Sequence, residues 1–346
     1  MLVPETVLAI DWNDFYAFCH RQGILGVVYG GIEKTGKGNV TIPRELLYRW
    51  VAMADKITKK NDLLNRRVAQ VTSFFAKHGF RSCILKGQAN ATMYPRPELR
   101  SGGDIDIWVE GRDEDIIRFV LQYSPEAHYS LHHVVFPMFQ DVSVEVHYRP
   151  IFLDNKRLDR RLQRHIDMIQ DEQFGHRIAL HDGTEVSSLT DSFNVVYQLL
   201  HMWHHFFSTR NNLKQLIDYF YLLKSCHGEG QKEDCRALID ELGLLKYAKG
   251  IMWIEHEVLG IEEDYLPVEP DEEVGQLILA ETLSYGIKRK KSSWATLLFG
   301  RLSKNRHLFR YFPSAVLNNP EHLLWHQWWK LKMKYRLKKA KSANPS

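Results

Sequence analysis

Cysteine is sparse in this sequence and shows no pattern typical of a structural site. The four cysteines, Cys19, Cys83, Cys226 and Cys235, are scattered over 346 residues without CxxC spacing. Disulfide-stapled domains and zinc knuckles depend on paired or closely spaced cysteines. The sequence therefore argues against both, and we expect free, mostly buried thiols.

Long apolar segments and targeting signals are also missing. No apolar run approaches the roughly 20 residues that a membrane-spanning helix needs. The N-terminal stretch MLVPETVLAIDWNDF has acidic residues where a signal peptide has a basic start and an apolar centre. With 44% hydrophobic residues, the chain is expected to be a soluble cytoplasmic protein without a membrane span, large enough for two domains.

Charge is nearly balanced but unevenly distributed. The net charge is +4, and the C-terminal stretch WWKLKMKYRLKKAK holds seven of the 46 Lys and Arg residues and no acid. Such a segment is more often a solvated terminal helix, but it could also attract a polyanion. Nucleic acid is therefore a candidate partner through this basic tail.

Periodicity predicts an α+β protein with a small mixed sheet, flanking helices and a helical C-terminal domain. Apolar residues recur at helical spacing over the first eighty residues, and RSCILKG and DIDIWVE read as strands. A helix (RDEDIIRFVLQY) and two further strands (HHVVFPMF and VSVEVHYRP) follow, after which strand signals nearly stop. We predict a helical segment over 1–63, an α/β core over 64–186 and a helical domain over 187–346.

Three carboxylates form the most informative pattern. Asp104 and Asp106 stand two apart on one strand and therefore project from the same face, roughly 6 to 7 Å apart at the backbone. Glu145 lies on the polar face of a later strand, together with His147. Clustered carboxylates are ligands for Mg²⁺ or Mn²⁺, which can activate an attacking hydroxyl and stabilise a leaving pyrophosphate.

The residues around these acids suit a phosphate-bearing ligand. Gly102 and Gly103 precede Asp104 and would let a triphosphate approach the backbone. Lys86 and Gly87 close the preceding strand in a turn that can donate backbone N–H groups. Arg96 and Arg100 lie in the connecting loop, where a guanidinium can bind phosphate oxygens.

The order of these motifs resembles a known family. ILKGQANATMYPRPELRSGGDIDIWV followed by VEVHYRP is similar to the uncharacterised nucleotidyltransferase family of the polymerase-beta-like superfamily. The resemblance continues through HMWHHFF and LKQLIDYFYLL, from about Trp12 to beyond Leu223. It implies a metal-dependent nucleotidyltransferase fold. Unlike most of the superfamily, this chain has Gly87–Gln88 in place of glycine and serine, and a long spacer before Asp104.

Several histidines and tryptophans allow two interpretations. His201 and His205 share a helical face, but the HExxH pattern of metalloproteases is absent. Core or pocket histidines, with Asp218 as a partner, are therefore preferred. His147 could touch substrate or make a structural hydrogen bond. His128, His132 and His133 flank a strand without diagnostic spacing, and Trp325, Trp328 and Trp329 are expected to form a packing stripe.

Together these features predict transfer of a nucleoside monophosphate from a nucleoside triphosphate to an acceptor. Asp104, Asp106 and Glu145 would bind Mg²⁺ or Mn²⁺, while Lys86, Gly87, Arg100, Gly102, Gly103 and His147 would bind the nucleotide. One alternative is a catalytically weak nucleotide-binding or antitoxin-like module. Another is a nucleic-acid-modifying nucleotidyltransferase that uses the basic tail.

Overall fold

A computed structural model describes residues 10–35, 42–226, 228–286, 306–313, 315 and 319–343. Its helices are α1 (Trp12–Gln22), α2 (Leu25–Thr35), α3 (Arg44–Lys77), α4 (Gln88–Ala91), α5 (Asp113–Tyr123), α6 (Lys156–Gly175), α7 (Asp191–Phe207), α8 (Leu213–Ser225), α9 (Glu229–Glu241), α10 (Leu245–Trp253), α11 (Glu272–Leu283) and α12 (Asn319–Ala343). Its strands are β1 (Ser82–Ile84), β2 (Ile105–Val109), β3 (His133–Val135), β4 (Val144–His147), β5 (Arg177–Ala179) and β6 (Glu185–Ser187). The predicted α+β class is confirmed.

The central sheet is small and mixed, as predicted. Its order is β1-β2-β4-β3. The central pair β2 and β4 is parallel, while both outer pairs are antiparallel. In the register Asp106 lies beside Glu145, and His147 lies between Trp108 and His133. Neighbouring strands thus bring together polar residues that are far apart in sequence.

Strand alternation gives the sheet two different faces. Ile107, Val134 and Val146 on one face join a buried cluster with α3 and α5. On the other face, Trp108 packs on Phe174 of α6, with ring centroids 4.5 Å apart, and joins the core of the helical half. The acids on this second face therefore lie between the sheet and the helices, where a cleft can form.

The N-terminal helices are continuous with the α/β core. Asp11 caps α1, and Gly23 ends it with a φ of 71°, a conformation that glycine adopts without strain. Helix α3 carries Trp50 in the N-terminal cluster and Phe75 under the sheet, because its 34 residues span both. The boundary expected between residues 63 and 64 lies inside this unbroken helix.

A second, two-stranded sheet follows α6, where strand signals had been expected to fade. Strands β5 and β6 pair as an antiparallel hairpin around Gly183, whose φ is 82°. Ser188, directly after β6, bridges to Ile84 of β1. The hairpin therefore lies beside the central sheet, and the Asp182–Gly183 turn was its overlooked signal.

From residue 188 onward the described residues are almost entirely helical. This confirms the predicted helical C-terminal part. Helix α12 packs on the core by Trp329 and Met333, with Trp329 Nε1 3.3 Å from Asp113 Oδ2. The expected tryptophan stripe is partly wrong, because Trp328 is 56% exposed. Within the described ranges, no helix combines the length and apolar character that crossing a bilayer requires.

Candidate functional site

A cleft of about 360 Å³ opens between the polar face of the central sheet and α7. The predicted carboxylates Asp104, Asp106 and Glu145 all line it. Asp106 is only 2% exposed, whereas Asp104 stands exposed just before β2. Two parallel strands, with the residue just before one of them, therefore bring all three acids to one cleft.

Asp106, Glu145 and His147 form the tightest polar group. One ligand atom from each lies within 4.8 Å of the others. His147 Nε2 is 3.1 Å from Asp106 Oδ1 and 3.8 Å from Glu145 Oε2. Asp104 lies outside this group but lines the same cleft. His147 is thus a hydrogen-bonding neighbour of the acids.

Lys86 is the counter-charge of the acids. The strand bond from Leu85 N to Asp106 O, at 3.0 Å, ties its segment to β2, and Gly87 with a φ of 66° turns the chain away. Lys86 Nζ lies 3.3 Å from Asp106 Oδ2 and 3.0 Å from His201 Nε2. An ammonium group therefore already lies among the carboxylates.

The pKa shifts reflect this compensation. Burial alone would raise the pKa of Asp106, but Lys86 and His147 outweigh it and hold that pKa well below its usual range. Burial would lower the pKa of Lys86, but Asp106 and Asp104 raise it. For Glu145, burial and the neighbouring Asp106 both raise the pKa. The charge of Glu145 is therefore less well compensated than that of Asp106.

The donor set fits a divalent cation. Asp106 Oδ2 is buried, and apart from the Lys86 ammonium 3.3 Å away it has no polar partner among the described residues. Buried polar atoms are nearly always paired in folded proteins, and carboxylate oxygens are preferred ligands of Mg²⁺ and Mn²⁺. A cation near Asp106 and Glu145 could take the place of that ammonium.

The residues expected to hold phosphate occupy different environments. A Cβ at Gly102 would meet Leu64 Cδ1 of α3, so this glycine lets the loop pack closely on that helix. Gly103, in contrast, has open space around it. Arg96 lies at the surface, where it pairs with Glu33 and Glu98.

Arg100 is 3% exposed and binds Asp218 through two contacts of 2.7 Å. Tyr94 also donates to Asp218. The suggested pairing of Asp218 with a histidine of α7 is wrong, because its carboxylate is engaged by Arg100 and Tyr94. Arg100 thus joins the sheet loop to α8, and its main contact is this ion pair.

A second, basic cleft of about 210 Å³ adjoins the first and shares Lys86, Asp104, His201 and His205 with it. Lys214 of α8 also lines it and takes part in no hydrogen bond or ion pair within the described part of the chain. Burial, and then Arg100, lowers the pKa of Lys214 to about 8. Sequence reasoning missed Lys214, although it lies in the quoted stretch LKQLIDYFYLL.

The histidines of α7 line this junction. His201 contacts Lys86, and its ring centroid lies 4.5 Å from that of His205. His204 bonds to the carbonyl of Phe152 on the opposite wall. The interpretation as pocket residues agrees with these positions, since both His201 and His205 line the two clefts.

Comparisons with known proteins found a matching family and similar solved structures. Residues 9–260 match the family described as uncharacterised nucleotidyltransferase. One similar solved structure is an antigenic nucleotidyltransferase-like protein from Paracoccidioides brasiliensis, at 11% identity and a TM-score of 0.39, covering 62% of this chain and 97% of the other. No curated protein matches the chain significantly.

Proposed function

The chain belongs to the uncharacterised nucleotidyltransferase family, and from this premise we propose that it moves a nucleoside monophosphate from a nucleoside triphosphate to an acceptor. The observation that carries the proposal is the convergence of Asp104, Asp106 and Glu145 on one cleft beside Lys86. Carboxylates that face a cationic side chain suit a metal–polyphosphate ligand.

Asp104, Asp106 and Glu145 would hold Mg²⁺ or Mn²⁺. When bound, such an ion neutralises phosphate charge and lowers the pKa of a coordinated hydroxyl. Lys86 would exchange its contact with Asp106 for one with a phosphate oxygen. Glu145, whose pKa is raised by burial, is placed to accept a proton from the acceptor.

The basic cleft supports a location for the polyphosphate. Lys214 has no carboxylate partner within the described residues, and the open backbone of Gly103 lies at the same cleft. A triphosphate there would reach Asp104, which lines both clefts. The wider cleft, walled by Phe152 and Trp203, is then left for the acceptor.

The cellular setting is also part of the proposal. All four cysteines are free and buried, which suits the reducing cytoplasm. Nucleic acid as acceptor remains a second candidate through α12, whose stretch of 328–341 is basic. That helix packs with α5 on the other side of the sheet from the cleft, so a small molecule or protein acceptor is favoured.

Label transfer tests the proposed reaction. The protein is incubated with Mg²⁺, a fractionated cell extract and nucleoside triphosphates labelled at either the α or the γ phosphate. The proposal expects α label, and no γ label, in the acceptor. Asp106→Asn should reduce transfer by about 100-fold, at the upper end of the loss when a metal site is disturbed.

Asp55→Asn is a matched control, since Asp55 is exposed and, among the described residues, pairs with Lys59 of the same helix. It should leave transfer unchanged. Transfer of γ label would indicate a phosphotransferase instead. Nucleotide binding with no transfer to any fraction would favour the weak binding module.

A further inference from the structure

Three histidines converge at the edge of the central sheet, beside the acids already described. His133 of β3 lies directly opposite His147 of β4 in the strand register, and Glu145 precedes His147 on the same face. His132 immediately precedes β3. Antiparallel pairing of β3 and β4 therefore brings His132 and His133 next to Glu145 and His147.

The donor atoms of these residues are close together. His132 Nε2 lies 3.0 Å from His133 Nδ1. His147 Nε2 is bonded to Asp106 Oδ1, which leaves His147 Nδ1 as the donor atom for an ion. One nitrogen from each histidine lies within 4.8 Å of the other two.

The spacing of the histidines is compatible with the first shell of a transition metal. Ligands at the usual zinc–nitrogen distance of about 2.0 to 2.1 Å stand roughly 3.3 Å from one another in a tetrahedron. The His132–His133 contact of 3.0 Å is close to that value, and the other spacings are at most 4.8 Å. Side-chain adjustments of about 1.5 Å would close the shell.

The type of donor selects the ion. Mg²⁺ and Ca²⁺ favour oxygen ligands, whereas imidazole nitrogens favour Zn²⁺ and its first-row neighbours. His132 and His133 share a contact between ring nitrogens, so one of these nitrogens must offer a lone pair. His147 Nδ1 is buried and has no hydrogen-bond partner among the described residues. The group therefore has the neutral nitrogen donors that such an ion needs.

We propose that His132, His133 and His147 form a site for one late first-row divalent ion, with Zn²⁺ as the natural occupant and the fourth coordination position open. This site is distinct in donor chemistry from Asp104, Asp106 and Glu145, which remain for the metal-bound nucleotide. Asp106 stabilises it indirectly, because a carboxylate bonded to a ligating histidine fixes the orientation of that ring. The inference deepens the proposed function, because it distinguishes two cation sites. Binding of Zn²⁺ itself does not depend on the proposed reaction.

Metal titration of the full chain tests the site. Protein freed of metal by a chelator is titrated with Co²⁺, whose visible absorption reports four-coordinate binding, and with Zn²⁺ by calorimetry. We expect one equivalent to bind, and a large excess of Mg²⁺ not to displace it. His132→Gln and His133→Gln should each weaken Zn²⁺ binding by about 10- to 100-fold or more.

His20→Gln is the matched control, because His20 is exposed at the end of α1. Thermal melting without metal shows whether each variant folds, and His132→Gln covers the case in which His133→Gln does not. Unchanged Zn²⁺ affinity in both folded histidine variants would overturn the proposal. Displacement of Co²⁺ by Mg²⁺ would do so as well.

Asp104→Asn separates this inference from the proposed function. It should retain Zn²⁺ binding while it loses the thermal stabilisation by nucleotide and Mg²⁺. Zn²⁺ bound without any nucleotidyl transfer would leave the metal site standing and remove the proposed reaction. Nucleotidyl transfer by a protein without Zn²⁺ affinity would support the proposed reaction and overturn the Zn²⁺ site.

Discussion

Replacing Lys86 by methionine is the most direct test of how the acidic site is balanced. Methionine keeps much of the length of the side chain but removes the charge that lies 3.3 Å from Asp106 Oδ2. Breaking a buried ion pair typically costs 3 to 5 kcal/mol. Because Lys86 is partly exposed and His147 still bonds to Asp106, we expect a loss near 2 kcal/mol.

A divalent cation should restore much of that loss. An ion that binds only the folded state at 100 times its dissociation constant stabilises by about 2.7 kcal/mol. In Lys86→Met the ion no longer competes with an ammonium group for Asp106. The stabilisation by Mg²⁺ or Mn²⁺ should therefore be larger in the variant than in the wild type, as measured by urea unfolding with and without the ion.

The pH dependence adds a second signature. In the wild type the pKa of Asp106 is held low by Lys86 and His147 against the effect of burial. A carboxyl of this kind adds stability above its unfolded pKa of about 3.9, and that stability is lost as the pH falls through the folded pKa. Without Lys86, burial raises the pKa of Asp106. The difference in the free energy of unfolding between the wild type and the variant should therefore become smaller as the pH falls from 7 toward 4.

Lys56→Met is the control, since Lys56 is exposed on α3, and it should show neither effect. The reasoning is refuted if Lys86→Met is destabilised while the ion stabilises it no more than it stabilises the wild type. That result would mean that Lys86 supports the fold without sharing its position with a cation.

Three further substitutions probe neighbouring parts of the site. Lys214→Met should weaken binding of inorganic tripolyphosphate by about 10-fold in calorimetry while leaving apo stability equal or higher. The half-buried ammonium has no partner among the described residues, and burial lowers its pKa. Unchanged binding would exclude the basic cleft as the site of the polyphosphate. Arg100→Met should lower the free energy of unfolding in urea by about 3 to 5 kcal/mol, since it leaves the buried Asp218 without its counter-charge. The double variant with Asp218→Asn should recover part of this loss, and no recovery would argue against a simple ion pair. Asp104→Asn should change apo stability little and sharply reduce the thermal shift by nucleotide and Mg²⁺, because Asp104 is exposed at the cleft; the opposite pattern would make Asp104 structural.

Patterns with a short period in the sequence predicted much of the fold. The alternation in DIDIWV and VSVEVHY correctly separated polar from apolar faces, because the side chains of a strand alternate whatever lies around it. The same alternation indicated that Asp106 and Glu145 would share a surface. The β5–β6 hairpin was missed, since its strands of three residues each are too short to show a clear period.

Contacts between distant parts of the chain were not predictable in this way. Arg100 and Asp218 are 118 positions apart, and nothing local indicates that the arginine faces a carboxylate rather than a phosphate. The glycine at position 102 was interpreted as space for a ligand, whereas its neighbour is Leu64 of a helix that precedes the sheet. In both cases the local motif indicated a special residue, but only tertiary packing decides which partner it has.

The balance of charge also changes how cation binding should be understood. A cluster of bare carboxylates would need metal to remain folded, and its acids would separate without it. Here Lys86 contacts Asp106, His201 contacts Lys86, and His147 bonds to Asp106, so a network of protein groups already occupies the position. Binding of a cation and a polyphosphate would then be an exchange, in which the ion takes over the carboxylate and the released ammonium takes over the phosphate. The bound ion releases the Lys86 ammonium for the phosphate, so the metal and the nucleotide should each increase the affinity for the other. Lys86→Met should weaken this coupling, even though it should strengthen binding of the metal alone.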